Sequence, residues 1–211
     1  MYLPQAFRED RLPVLHDAIR ACGLGLLITV TPNGPAATPL PMLLDPAAGE
    51  KGTLYAHLAR ANPQWRDTVP GSPALVVFAG PDAYVSPGWY PSKQETGRVV
   101  PTWNYIAVQV GGVPTFFDEP DRLRALVERL TNRQESGRTR PWQVSDAPEP
   151  FIAQQLGAIV GVALPIERIE GKWKLSQNRP EPDRLGVIAG LAEEPGAGAE
   201  AVRAAMQEEK R

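Results

Sequence analysis

Between Tyr84 and Tyr105 the chain gathers Tyr84, Trp89, Tyr90, Trp103 and Tyr105, interleaved with Ser86, Ser92, Lys93, Arg98, Thr102 and Asn104. Rings with a few fixed polar groups and one or two cations suit a pocket for a flat, anionic ligand. Pro87, Pro91 and Pro101 stiffen the window, and Gly88 and Gly97 let it turn. The same composition suits a Pro/Gly-rich connection whose rings cover the core, and both readings stay open. A second group is HLARANPQW, residues 57–65. Asn62-Pro63 fits a helix start, with Asn as N-cap and Pro at the first helical position. Arg60 and Asn62 would then sit at a strand-to-helix junction, where orphan N–H groups favour an anion. A plain N-cap with a surface arginine fits equally well. A third group is GKWKLSQNR, residues 171–179. Lys172, Lys174 and Arg179 alternate with Trp173 and Leu175, and Ser176-Gln177-Asn178 follow. Such a run of donors beside a tryptophan suits a phosphate or a heteroaromatic edge. A basic surface strand is the alternative.

Other chemistries find little support. Cys22 is the single cysteine, so no internal disulfide framework exists, and two histidines beside it are a thin basis for a structural zinc site. No Ser-His-Asp or paired-carboxylate arrangement stands out, which is consistent with a cofactor carrying any chemistry. The net charge of -2 and pI of about 5.8 lack the footprint of a nucleic-acid-binding domain. The one arginine cluster, Arg122, Arg129, Arg133, Arg138 and Arg140, is interleaved with Asp121, Glu128 and Glu135, as on a solvated, salt-bridged face. MYLPQAFRED has no apolar signal-peptide region, and no apolar run reaches membrane-spanning length. A cytoplasmic protein with no membrane partner is expected.

The elements that must position these groups are short and numerous. Asp10 caps a helix to about Ala21, with Leu12, Leu15, Ala18, Ile19 and Cys22 on one face. Leu24–Thr31 reads as a strand, Pro32-Asn33-Gly34 as a turn, and 36–44 as the return strand. Pro39 and Pro41 put both rings on one face of that strand and place it at an edge or beside a gap in pairing. Further strands are expected at 53–57, 74–79, 103–110, 113–117 and 159–169, the last broken or bulged at Pro165. Helices are expected at 120–133, with Leu123, Leu126, Val127 and Leu130 on one stripe, and at 149–156. Beyond Leu191 the chain is rich in Ala, Glu and Gly without a strong stripe, and reads as a frayed helix or disordered tail over 192–211. The fold class is mainly β with packed helices (α+β), a small barrel over residues 1–191.

Five words occur in order: MYLPQAFRED, HLARANPQW, GPDAYVSPGWYPSK, VVPTWNY and GKWKLSQNR. On these the sequence resembles the PaiB family, described as FMN-binding negative transcriptional regulators, on the FMN-binding split barrel shared with pyridoxamine phosphate oxidase relatives. The resemblance runs from about Met1 to Leu191. It implies a homodimer with FMN near the subunit interface, and DNA as a partner by family description only. It implies His57, Arg60 and Asn62 as phosphate or ribityl contacts and Thr38 as a contact to the isoalloxazine. Trp103 and Asn104 would flank the ring, and Lys93, Lys174, Ser176 and Gln177 are signature positions. The oxidase relatives place Arg and Lys where this chain has Ala61 and Asn62. One phosphate cation is therefore missing, to be supplied by Arg60, Lys93 or Lys174. The C-terminal substrate motif of true pyridoxamine phosphate oxidases is absent. Three functions follow as expectations: an FMN-binding regulator of protease production and sporulation genes; an FMN-dependent oxidoreductase using NAD(P)H or another small reductant; and, third, a haem-binding split barrel.

Overall fold

The computed structural model describes residues 1–208. The chain forms two compact units. One comprises Met1–Leu15, Ala79–Val108 and the chain from Glu170 onward; the other comprises His16–Phe78 and Gln109–Ile169. In chain order the elements are β1 (Arg8–Glu9), α1 (Leu12–Cys22), β2 (Leu24–Thr31), β3 (Gly34–Pro41), β4 (Leu43–Asp45), β5 (Thr53–Ala59), α2 (Gln64–Asp67), β6 (Ala74–Val85), α3 (Ser92–Thr96), β7 (Thr102–Gly112), β8 (Thr115–Phe117), α4 (Pro120–Glu135), α5 (Glu149–Gly157), β9 (Ile159–Pro165), β10 (Arg168–Lys174), α6 (Glu181–Glu193) and α7 (Ala197–Glu208). The expected strand over 159–169 is two strands, because the break at Pro165 ends one ladder before Arg168 begins the next.

In the first unit, β1 pairs antiparallel with β10, Arg8 opposite Lys172, and the strand order continues through β7 to β6. Its core is Ala83, Val85, Tyr90, Leu175, Val187, Leu191, Ala199, Val202 and Met206. The segment expected to fray is α7, and it buries Ala199, Val202 and Met206 at spacings of three and four. Two of the three buried positions are small or β-branched, so the stripe has little apolar contrast in sequence. Close approach, not bulk, seats both C-terminal helices. A Cβ on Gly190 would lie 2.2 Å from the Trp89 ring, and one on Gly186 2.0 Å from the Trp89 carbonyl. A Cβ on Gly198 would lie 2.6 Å from the Asp82 carbonyl.

In the second unit, β4, β5, β9 and β8 form an antiparallel sheet in that order. The leucine stripe of α4 (Leu123, Leu126, Leu130) and Ile152 and Leu156 of α5 pack with Leu43, Phe117 and Ala163 of that sheet. Each buried leucine contributes roughly 2 kcal/mol of transfer free energy. The arginines of α4 are tied to protein partners: Arg129 to Asp45 at 2.9 Å, Arg124 to Glu149, and Arg133 to the carbonyls of Met42 and Arg20.

The β2–β3 hairpin pairs Leu24 with Pro41, Leu26 with Pro39, Ile28 with Ala37 and Val30 with Pro35, while Leu26 and Ile28 also oppose Val77 and Leu75 of β6. Directly opposed residues share a face. This face is therefore apolar across three strands, and Leu24 and Val30 on it are 55% and 47% exposed. The second face of β2 is buried, as the alternation in LGLLITVT requires. β3 lies at the end of its sheet, which satisfies Pro39 and Pro41 as edge residues.

Candidate functional site

Lys172 and Lys174 project from one face of β10, two residues apart. Lys172 is 9% exposed. Its Nζ donates to the Tyr2 carbonyl at 3.1 Å and lies 5.3 Å from the Tyr105 ring and 5.7 Å from the Tyr2 ring. Lys174 Nζ donates to Thr102 Oγ1 at 2.7 Å and to the Trp103 carbonyl. Burial, then the charges of Lys172 and Arg179, hold the Lys174 ammonium below the usual lysine range. Among the described residues no carboxylate lies within ion-pair distance of Lys172, Lys174 or Arg179. Beside them Trp103 and Tyr84 meet edge to face, centroids 6.0 Å apart and planes at 75°, and both are about half exposed. Uncompensated cations next to open rings are an arrangement a flat anion completes. Lys172 belongs to the run of donors read from the sequence, though the family resemblance did not single it out. Its signal is the period of two, which puts it on the face of Lys174.

The other residues of this unit have structural duties. Asn104 is fully buried; its amide donates to Ser176 Oγ at 2.9 Å and lies 3.5 Å from Met206 Sδ. Ser176, also buried, has a φ of 64°, uncommon for a residue with a Cβ, and the Asn104 contact holds it there. Gln177 closes the same turn: its Oε1 accepts from the Leu175 N–H at 2.7 Å and its Nε2 donates to the Trp173 carbonyl at 2.6 Å. These residues fix the turn that follows Lys174. Lys93 is exposed on α3. The ring-rich window divides. Trp89 lies against Gly190, and Tyr90 enters the core with the Arg179 guanidinium 4.8 Å from its ring centroid. Its buried hydroxyl has no hydrogen-bond partner, and burial raises its pKa. Only Tyr84, Trp103 and Tyr105 belong with the lysines.

In the second unit, Thr38 and Asn62 meet around a residue that sequence reasoning missed, Gln64. Thr38 Oγ1 donates to Gln64 Oε1 at 2.5 Å, and Asn62 Nδ2 donates to Thr38 Oγ1 at 3.0 Å. Asn62 Oδ1 accepts the Gln64 N–H at 3.0 Å. Gln64 Nε2 reaches Thr29 Oγ1 and the Ala36 carbonyl, both at 3.1 Å. The polar row Thr29–Thr38 on the inner face of the hairpin is thus satisfied by one amide. Asn62-Pro63 does open a helix, with Pro63 at helical φ and ψ, but α2 has only four residues. Arg60 is committed: Nε donates to the Gly157 carbonyl at 2.7 Å, Nη2 to the Ile159 carbonyl at 3.1 Å, and Nη1 pairs with Asp118 at 3.1 Å. His57 opposes Gly161, which opposes Phe117, so His57 shares the face of the Phe117 ring. Its Nδ1 is buried without a partner, and burial lowers its pKa.

The donor set of the β10 face fits a phosphate-bearing flavin: Lys172 and Lys174 with no carboxylate at ion-pair distance, Glu170 on the same face being paired with the N-terminus, hydroxyl and carbonyl groups that fix the lysines, and open rings. Residues 1–168 match the family described as "Putative FMN-binding domain". The chain is 31% identical over 194 residues to the Bacillus subtilis "Protease synthase and sporulation protein PAI 2", covering 92% of this chain and 90% of that protein. It is 33% identical over 226 residues to the uncharacterized protein AN0679 of Emericella nidulans, covering 90% of each. Among solved structures it resembles the conserved hypothetical protein Rv2991 of Mycobacterium tuberculosis (TM-score 0.59, 14% identity, 86% of this chain and 95% of that one). It also resembles the flavocytochrome Anf3 of Azotobacter vinelandii (TM-score 0.57, 13% identity, 79% and 69%). At those identities the structural likeness speaks for the fold alone. Sequence match, antiparallel sheets with packed helices and structural neighbours agree that the chain belongs to the FMN-binding split-barrel family, in its PaiB branch.

Proposed function

We propose that the protein binds FMN as a homodimer. The observation that carries this reading is the β10 face, where Lys172 and Lys174 stand with no carboxylate at ion-pair distance beside Trp103 and Tyr84. FMN supplies hydride or electron chemistry when bound. The chain's own part is to seat the phosphate and offer rings to the flavin. His57, Arg60, Asn62 and Thr38 enter as contacts implied by the family, and of these Arg60, Asn62 and Thr38 already have protein partners. Titration with FMN, followed by gel filtration, tests the reading: flavin bands should travel with the protein.

The homodimer rests on the apolar face of β2, β3 and β6. A face of Leu24, Leu26, Val30, Pro35, Pro39 and Pro41 with no charge is larger than scattered surface hydrophobics require. A second copy offers the same uncharged face, which suits an isologous contact. Among the described residues no helix is long and apolar enough to cross a membrane, and a cytoplasmic setting belongs to the same proposal.

A role in transcription comes from the name of the Bacillus relative and the family description. The arginines of α4 lend it no free basic face, since Arg124, Arg129 and Arg133 are tied down. Binding to DNA at low salt that weakens steeply as salt rises is its test, and absence of binding at low salt removes this half of the proposal. Flavin bleaching by NAD(P)H would move the reading to an oxidoreductase. Haem gains nothing from the two histidines: His16 is buried with Nε2 2.9 Å from the Lys51 carbonyl, and His57 buries Nδ1.

A further inference from the structure

We infer that the second unit carries a site for a small aryl carboxylate between α2 and β8. A cavity of about 540 Å³ lies there, inside the roughly 300–1,000 Å³ range of small-molecule sites. Trp65, Val69, Pro70, Pro114 and Phe116 give it ring and apolar walls, and Arg66 is the one charged residue that lines it. None of Thr38, His57, Arg60 and Asn62 lines it, so its occupant is separate from the flavin. All of its residues fall inside the stretch that matches the family.

The walls are set before a ligand arrives. The Trp65 indole N–H donates to the Arg60 carbonyl at 3.0 Å, which fixes the ring. Thr68 Oγ1 donates to the Gln64 carbonyl and Ser72 Oγ to the Val69 carbonyl, both at 2.7 Å. The side-chain polar groups left on the lining are the Arg66 guanidinium and the Thr115 hydroxyl. Neither has a hydrogen bond or ion pair among the described residues. The guanidinium carbon of Arg66 stands over the Trp65 ring, 5.5 Å from its centroid. A guanidinium so placed offers a planar fork, which matches a carboxylate through two parallel N–H···O bonds. A single unpaired cation with no carboxylate on the lining selects a monoanion, and a phosphate monoester would bring more charge than Arg66 can match. The rings and prolines select a flat, apolar body to carry it. The N–H groups of Thr68, Val69 and Ser72 already donate to the Gln64, Val30 and Val69 carbonyls, and Pro70 has none. That wall therefore gives an extended peptide little backbone to pair with.

The experiment titrates the protein into para-fluorophenylacetate and into its neutral amide, para-fluorophenylacetamide, and follows the fluorine NMR line width of each. The ratio of the two dissociation constants isolates what the carboxylate contributes. The native chain should bind the acid about ten-fold more tightly than the amide. Arg66 is exposed, so its variants leave the core untouched. Arg66→Gln should bring the ratio close to unity, and Arg66→Lys, a point charge without the fork, should keep only part of it. Trp65→Leu, checked for folding by circular dichroism, should weaken both probes several-fold; a folded Trp65→Leu that binds both as the native chain does overturns the aryl class. The Lys172–Lys174 face also sets cations beside rings. A ratio lost in Lys174→Met and kept in Arg66→Gln assigns the probe to that face and overturns the inference. Equal binding of acid and amide by the native chain, or no broadening of either at millimolar concentration, overturns it as well, and each leaves FMN binding to its own test.

Discussion

Arg60 and Lys174 are both cations beside a word that resembles a flavin-binding signature, yet only one has a free charge. Sequence cannot separate them, because what distinguishes them is carbonyl geometry: Arg60 meets the backbone of residues 157 and 159, nearly a hundred positions away. Lys172 was legible through the alternation of β10, as Lys174 was. Gln64 was not, since a glutamine after Asn-Pro carries no pattern that announces three backbone and hydroxyl partners. His57 shows a cost at this scale. Its buried Nδ1 disfavours the protonated ring, so its folded pKa lies below the unfolded value. The sign follows from proton binding: the unfolded chain takes up the proton first as pH falls. The associated stability is present above about pH 6.5 and is lost as pH drops through the folded pKa. His57→Leu should remove this part of the acid sensitivity. Urea midpoints at pH 7 and pH 5 should then differ less than in the native chain, and an unchanged difference would acquit His57.

At the scale of elements, the ring-rich window proved to be two things. Trp89 and Tyr90 anchor the first unit's core, and Trp103 with Tyr84 stays open. The spacing of the rings did not tell them apart. The glycines of α6 carry the distinction: Gly186 and Gly190, four residues apart, clear room for Trp89. Sequence reading passed over that pair because two helical glycines look like weakness and not like a socket. Gly190→Ala places a Cβ 2.2 Å from the indole and should destabilise the protein by about 1–3 kcal/mol, read as a lower thermal midpoint. If the midpoint holds or rises, the socket is not what seats α6. The leucine stripe of α4 was plain from its period, and Leu123→Ala, 1% exposed in the native chain, should cost about 2–4 kcal/mol. α7 was not plain, since alanines mark its buried side as they would mark a solvated one.

At the scale of the whole molecule, the split barrel and its packed helices were legible from turn residues, alternation and the family words, while the order of strands within the two sheets was not. The division into two compact units was not, because β6, β7 and α1 each run from one unit into the other without a linker. The hairpin's apolar face was half visible: the prolines of β3 were expected to share a face, and the register adds Leu24, Leu26 and Val30 opposite them. Charge on that face should separate a dimer. Leu26→Glu with Val30→Glu should halve the mass found by light scattering while the circular dichroism spectrum is kept; a native chain that is already monomeric would set the homodimer aside.

FMN binding is the claim on which the rest depends, and its measurement is the visible spectrum of the purified protein before and after added FMN, read again after gel filtration. Flavin absorbance should appear on addition of FMN and stay with the protein through the column. A colourless protein that leaves added FMN in the small-molecule fraction would contradict it.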